Sequence, residues 1–268
     1  MDAALYDEDH GYYSINRRKS GMMPIGNEGD YFTSPVTHPA FGALIALQLR
    51  EMWQLMGSPD DFAVVEMGAG DGVLASDISD YAEGVLPDLA QSMRYLAVDI
   101  VPSAGSCSQV KDLSALPVGI NGCVISNELL DSQPVNRFIV MDGAVKEILI
   151  DYEKGAFTEV ASEITSPEME ARIQPFLPAL PDSYTGEVNL RLGYWADSVS
   201  VTLNCGYVLT VDYGYDRPDL YSPSRIGGSL RCYYQHTLGH NPLQRIGRQD
   251  ITAHVDFTAV DHMLSVNN

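Results

Sequence analysis

The sequence predicts an α/β protein organised around a doubly wound, mostly parallel, Rossmann-like sheet. Three observations carry that expectation. Short continuous apolar runs, "FAVVEM" (62–67), "MRYLAVDI" (93–100), "GCVISN" (122–127) and "CGYVLTVDY" (205–213), have the length and composition of strands buried on both faces. A helical pattern stands between the first two runs, "VLASDISDYAEGVL", as the crossover of a parallel sheet requires. Three glycines on alternate positions, in "EMGAGDG" (66–72), mark the point where the first strand hands over to its helix.

The elements follow in order. "FGALIALQLREMWQLM" (41–56) carries apolar residues at helical spacing, with Pro39 just ahead and Gly57 just behind as start and stop signals. "FAVVEM" is the first core strand and "VLASDISDYAEGVL" the helix after it. The runs at 93–100, 122–127 and 205–213 supply the further strands. Residues 137–160 alternate and turn at Asp142-Gly143 and Lys154-Gly155, so a hairpin or meander is expected there, at the sheet's edge or as a small β insertion. The basic cluster "NRRKS" (16–20) reads as a solvated loop. The sequence shows no internal repeat and no low-complexity tract.

Composition narrows the function classes. With 268 residues, 45% of them hydrophobic, the chain can bury a sizeable core. A formal charge of −20 argues against a nucleic-acid partner, which needs clustered Lys and Arg, and favours a basic partner or substrate; solubility alone is the plainer account of the charge. No apolar run approaches the roughly 20 residues that span a bilayer, so no membrane insertion is expected. The N-terminus "MDAALYDEDHGYY" is acidic where a targeting peptide is basic. The expected location is the cytoplasm of a bacterium, or the mitochondrial matrix for a mature organellar chain. Cys107, Cys123, Cys205 and Cys232 are widely spaced with no C-x-x-C pair, which reads as reduced thiols with neither zinc nor a disulfide framework.

The glycine turn also carries chemistry. In an open parallel sheet, ligands bind beyond the carboxyl ends of the strands, where the first strand-helix turn presents backbone N–H groups. The spacing here is not the G-x-G-x-x-G of a dinucleotide fingerprint, and Glu66 and Asp71 would repel a pyrophosphate. Acids suit a cationic ligand with free hydroxyls. S-adenosylmethionine has a sulfonium, an ammonium, a ribose diol and no phosphate. Asp99 closes the next strand, where it could accept both ribose hydroxyls.

The blocks "MDAALYDEDHGYYS", "GDYFTSP", "VVEMGAGDGVLASDI", "SNELLDSQPVNRF", "VDYGYDRPDLYSPSRIGGSLRCY" and "DITAHVDFTAV" together resemble the MidA-like family, which includes a mitochondrial complex I assembly factor that methylates a protein arginine. They occur in family order from residue 1 to about 260. The resemblance implies a class I methyltransferase fold, S-adenosylmethionine as donor with S-adenosylhomocysteine as product, and a protein arginine as acceptor; a homodimer is left open. It also implies roles by position. Glu66, Gly68, Ala69, Gly70 and Gly72 would hold the methionine part of the cofactor and Asp99 the ribose. Gly29, Asp30, Tyr31, Thr33, Ser34 and Pro35 would lie over it as part of an N-terminal lid. Asn127 would stand near the transferred methyl, after the fourth strand. The expected segments are a lid and helical part (1–60), an α/β core (61–136), a hairpin and helical insertion (137–200), and a last core strand with an incomplete C-terminal part (201–268).

A guanidinium stays protonated at any cellular pH, so an enzyme that methylates it must hold the fork and draw charge from the attacking nitrogen. Paired carboxylates can do both, and one can take the proton. Glu128 and Asp131, three apart at the mouth of the sheet, are the catalytic candidates, with Asp212 after the next apolar strand. His254 and Asp256, in "AHVDF", are the substrate candidates. For each acid taken singly, a solvated loop residue or a helix cap is the alternative. Methyl transfer needs no metal, and its rate comes mostly from alignment and exclusion of water. Tyr12, Tyr13, Tyr31 and Phe32 are candidates for an aromatic wall, or equally for ordinary core.

Two features depart from the family pattern. "IVPSAGSCSQVKDLSALP" after Asp99 is short, leaving Asp112 as the candidate for the adenine edge, and the chain stops at "DHMLSVNN", so the C-terminal strands of the family's sheet are expected to be missing. The competing functions are a non-catalytic, chaperone-like assembly protein that keeps the fold, and a nicotinamide-dependent oxidoreductase, which the acidic loop disfavours.

Overall fold

The computed structural model describes residues 1–20, 25–26, 29–100, 109–110 and 118–266. They form two units: a parallel-sheet unit, Tyr13–Leu129 with Asp197–Asp212, and an antiparallel-sheet unit, Met1–Tyr12 with Leu130–Ala196 and Tyr213–Asn268. Strands are numbered along the chain.

The parallel-sheet unit contains β1 (Phe62–Met67), β2 (Met93–Val98), β3 (Gln109–Val110), β4 (Ile120–Asn127) and β9 (Leu203–Val211). They lie in the order β3-β2-β1-β4-β9, every neighbouring pair parallel. All six residues of β1 are buried, as a strand with a neighbour on each side and helices over the sheet must be. Helix Ala40–Leu55 buries Ile45, Ala46, Leu49, Met52 and Trp53 along one stripe. Helix Val73–Val85 buries Leu74, Ala75, Ile78 and Ala82 in the same way. Both stripes join Phe62, Val64, Cys123 and Ile125 in one hydrophobic cluster. The helices approach so closely that a Cβ on Gly42 would stand 2.4 Å from Cβ of Asp77.

Strand order decides where a ligand can sit. The chain runs outward from β1 through β2 to β3, then returns to place β4 on the other side of β1. Connections therefore leave β1 and β4 in opposite directions, and a crevice is left beyond their carboxyl ends.

In the antiparallel-sheet unit, β5 (Asn136–Met141), β6 (Ala144–Glu153), β7 (Ala156–Glu163) and β8 (Thr185–Val188) lie in the order β7-β6-β5-β8. Asp142 and Gly143 turn β5 into β6 with φ of +53° and +74°, and Lys154 and Gly155 turn β6 into β7 with +52° and +84°. Both are two-residue turns with left-handed backbone, the geometry that matches strand twist. Phe138 and Val140 of β5 pack with Met169 and Ile173 of helix Pro167–Ile173, and with Phe176 and Tyr221.

Helix Tyr12–Ser20 runs through 16–20, where the sequence suggests a loop. Arg and Lys are good helix formers and nothing breaks the run before Gly21, so local propensity explains the difference. Among the described residues no helix is long and apolar enough to cross a membrane.

Candidate functional site

The parallel-sheet unit gathers its chemistry at the ends of β1, β2 and β4. Gly68, Gly70 and Gly72 have φ of +76°, +54° and +76°, which a side chain would resist by roughly 1–2 kcal/mol each. This backbone folds the loop onto β2. The amides of Gly68 and Ala69 donate to the carbonyl of Val98 at 2.8 and 3.1 Å, and the amide of Gly70 donates to Oδ2 of Asp99 at 2.8 Å. Gly72 then caps helix Val73–Val85. The glycines thus let the loop turn sharply while its backbone aligns the first acid after β2.

Glu66 and Asp99 are both buried, at 3% and 6% exposure. The hydroxyl of Tyr95 donates to Oε2 of Glu66 at 2.8 Å. Burial raises the Glu66 carboxyl to about 7; the Tyr95 hydrogen bond opposes the rise and the nearby Asp99 charge adds to it. The sequence does not single out Tyr95. Its signal is a polar tip inside a strand that otherwise reads as buried, and only the pairing of β2 with β1 shows what that tip meets.

Beyond β4, Asn127 has Oδ1 buried with no hydrogen-bond partner among the described residues. Glu128 has left-handed backbone, φ +49°, and its amide donates to the carbonyl of Val211 at 2.9 Å. The next amide, of Leu129, donates to Oδ2 of Asp212 at 3.1 Å. Asp212 therefore acts on the loop that carries Glu128. A Cβ on Gly68 would stand 2.9 Å from Cδ1 of Leu129, so the loops after β1 and β4 are in contact.

The "GDYFTSP" block belongs to the same unit. Gly29 donates its amide to the carbonyl of Gly26 at 2.9 Å. Asp30 and Tyr31 are half-buried, Thr33 and Pro35 buried, Ser34 exposed. Thr33 precedes the short helix Ser34–Thr37 and accepts from Thr37 Oγ1 at 3.0 Å. That helix packs against helix Val73–Val85, which the glycine loop opens. Tyr12 and Tyr13 are buried and Phe32 is exposed. Asp112 and Cys107 lie outside the described residues.

The remaining candidates fall in the antiparallel-sheet unit. Asp131 is buried and its carbonyl accepts from the amide of Ala253 at 2.8 Å. Asp256 has both oxygens engaged: Oδ2 receives Nε of Arg217 at 3.1 Å, and Oδ1 receives the amide of Ala259 at 2.9 Å, as a cap of helix Phe257–Val266. His254 lies against Tyr215, ring centroids 5.4 Å apart. Arg172 and Arg217, absent from the sequence-derived candidates, line a cavity with His254 and Asp256. A clue for Arg172 is its place next to buried Ile173 on a helix.

Residues 44–268 match the family described as "Putative S-adenosyl-L-methionine-dependent methyltransferase". A Drosophila melanogaster protein named protein arginine methyltransferase NDUFAF7 homolog, mitochondrial, is 28% identical over 98% of the chain. The Rattus norvegicus protein arginine methyltransferase NDUFAF7, mitochondrial, is 26% identical over 98% of the chain. The chain spans 65% and 64% of the length of these two relatives. A crystal structure of a Burkholderia thailandensis protein bound to S-adenosyl-homocysteine superposes on the whole chain with a TM-score of 0.87 at 25% identity, using 70% of its own length.

Proposed function

This chain belongs to the family of S-adenosyl-L-methionine-dependent methyltransferases matched by residues 44–268, and from that premise we propose that its parallel-sheet unit binds S-adenosylmethionine and methylates an arginine of a protein substrate. The observation that carries the reading is the Gly70–Asp99 hydrogen bond. It places an oriented carboxylate beside a loop with no side chains at its three turning points. The donor set suits the cofactor, since Glu66 and Asp99 favour a cation and a diol and disfavour a phosphate. The arginine methyltransferase names of the relatives support the acceptor class.

When bound, the cofactor supplies a methyl group activated by a positively charged sulfur. The chain's own residues do the rest. Asp99 would accept the ribose hydroxyls, and the backbone of Gly68 and Gly70 would admit close approach. The buried Oδ1 of Asn127 is an acceptor for the ammonium of the methionine part. Glu128, held by its amide on Val211, would accept the proton that a guanidinium nitrogen gives up when it takes the methyl from the sulfur, which is left as the neutral thioether. Asp212 positions that loop through Leu129.

Calorimetry and methyl transfer test the reading together. S-adenosylhomocysteine should bind and NAD should not, and label from S-adenosylmethionine should enter an arginine peptide in preference to its lysine twin. Failure to bind S-adenosylhomocysteine overturns the cofactor assignment. Binding without transfer to any protein in a lysate would leave the assembly-protein function in its place.

A further inference from the structure

The antiparallel-sheet unit holds a cavity of about 30 Å³, room for one or two water-sized groups. Arg172, Glu187, Arg217, His254 and Asp256 line it. Three of their polar atoms are buried with no hydrogen-bond partner among the described residues: Nε of Arg172, Oε1 of Glu187 and Nδ1 of His254. Buried polar groups are normally satisfied, and three orphans on one small cavity point to something that belongs there.

Asp256 and Oε2 of Glu187 have hydrogen-bond partners, and Oε1 of Glu187 has a cation nearby but no donor. Oε1 of Glu187 stands 3.9 Å from Nε of Arg137, and Oε2 receives both the amide and the hydroxyl of Ser229, at 2.8 and 2.9 Å. Asp256 is held by Arg217 and by the helix it caps. Arg172 differs. Its Nη2 donates to the carbonyl of Asn189 at 3.3 Å, and no ion pair joins it to a carboxylate among the described residues. Burial lowers its pKa; Glu168 and Asp256 oppose that from a distance, and the like charge of Arg217 adds to it. Burial, then the charges of Arg225 and Arg231, lower the pKa of His254, so its neutral ring can offer a hydrogen bond without adding a cation. Burial also raises the pKa of Glu187, while the Ser229 hydrogen bonds and the Arg137 charge oppose the rise. Of the charges on this cavity, Arg217 is thus paired with Asp256 and Glu187 stands beside Arg137, which leaves the Arg172 guanidinium as the cation with no ion pair among the described residues.

We propose that this cavity binds a carboxylate, gripped by the Arg172 guanidinium and by Nδ1–H of His254. A guanidinium with Nε–H available meets a planar two-oxygen anion through a fork. The cavity's size suits a carboxylate head. The group can come from a free small acid or from the end of a peptide chain, and the chemistry is the same. The inference does not depend on the methyltransferase reading.

Thermal melts of the full chain test it. Sodium acetate is titrated against sodium chloride at matched ionic strength, beside a neutral peptide with a free C-terminal carboxylate and its amidated twin. A saturable rise in Tm with acetate, weakened at least roughly tenfold in Arg172→Gln, is the expected result. If the free-ended peptide binds and acetate does not, the source is a chain end; if acetate binds and the peptide does not, it is a small acid; a peptide that binds equally well when amidated overturns the proposal. No saturable shift with either probe means the cavity holds water alone and overturns the proposal, as does an unchanged response in Arg172→Gln. Should that variant fail to fold, His254→Ala removes one donor and no charge; acetate affinity must still fall in it, and an undiminished affinity overturns the proposal.

Discussion

The amide of Gly70 donates to Oδ2 of Asp99 at 2.8 Å, so the loop after β1 and the first residue after β2 hold each other in place. Asp99→Asn keeps an acceptor for that amide and loses the charge. Hydrogen bonds to a charged group contribute about 1.5–3 kcal/mol each, so affinity for S-adenosylhomocysteine should fall roughly 10- to 100-fold with little change in Tm. Calorimetry beside a thermal melt separates the two effects; equal affinity in the variant would remove Asp99 from the ligand site.

Glu66 sets a pH dependence whose sign is fixed. Its carboxyl is raised to about 7 in the fold, from an ordinary 4.5. Between those values the folded state keeps a proton that the unfolded chain has released. The stability this group contributes is therefore full below the lower value and is lost as pH rises through the upper one. Glu66→Gln should gain Tm over the wild type, by an amount that grows from about pH 5 to about pH 8. Tyr95→Phe, which removes the donor to the ionised form, should lose more stability at the higher pH. A difference independent of pH in both variants would show that Glu66 does not titrate in this range.

Gly42 should be intolerant and Gly84 tolerant. The added methyl of Gly42→Ala meets Cβ of Asp77 at 2.4 Å, whereas at Gly84 nothing lies within 4 Å. Overpacking costs about 1–3 kcal/mol, and the helix preference of Ala returns up to about 1 kcal/mol. Urea unfolding should show Gly42→Ala destabilised and Gly84→Ala unchanged or up to about 1 kcal/mol more stable. Equal behaviour of the two would mean that the helices can separate without penalty.

Glu128→Gln keeps shape and removes charge. Turnover on an arginine peptide should fall by about 100-fold or more, in line with the loss of a general base, while S-adenosylhomocysteine affinity stays within about twofold of the wild type. Glu128→Gly relieves the left-handed backbone at φ +49° and should raise Tm while losing the same activity. Full turnover in Glu128→Gln would reduce Glu128 to a turn residue.

Much of the parallel sheet can be read from the chain. Phe62–Met67 and Val73–Val85 follow from an unbroken apolar run and a helical stripe around the glycines. Asp99 follows from its place one β-α-β step later. Partners set by register cannot be read in this way. Tyr95 meets Glu66 only because β2 lies beside β1 with Val64 opposite Tyr95. Asp212 reaches Leu129 only because β9 lies beside β4, 76 positions or more away in the chain. Arg172 looks like any helix-surface cation until the neighbours of β8 and helix Pro167–Ile173 surround it.

Each unit is assembled from chain segments that are not contiguous, and this imposes an order on synthesis. A ribosome releases β1, β2 and β4 first, then all of β5 to β8, and only afterwards β9. From Asn127 to Leu203 about 75 residues must emerge, which at about 5–20 residues per second takes roughly 4–15 s. For that interval Ile120–Asn127 has an outer edge with no strand to pair it, and an open edge is a template for another chain. Newly made copies on neighbouring ribosomes are thus the hazard, and slower translation of the intervening segment would lengthen the exposure without altering the finished fold.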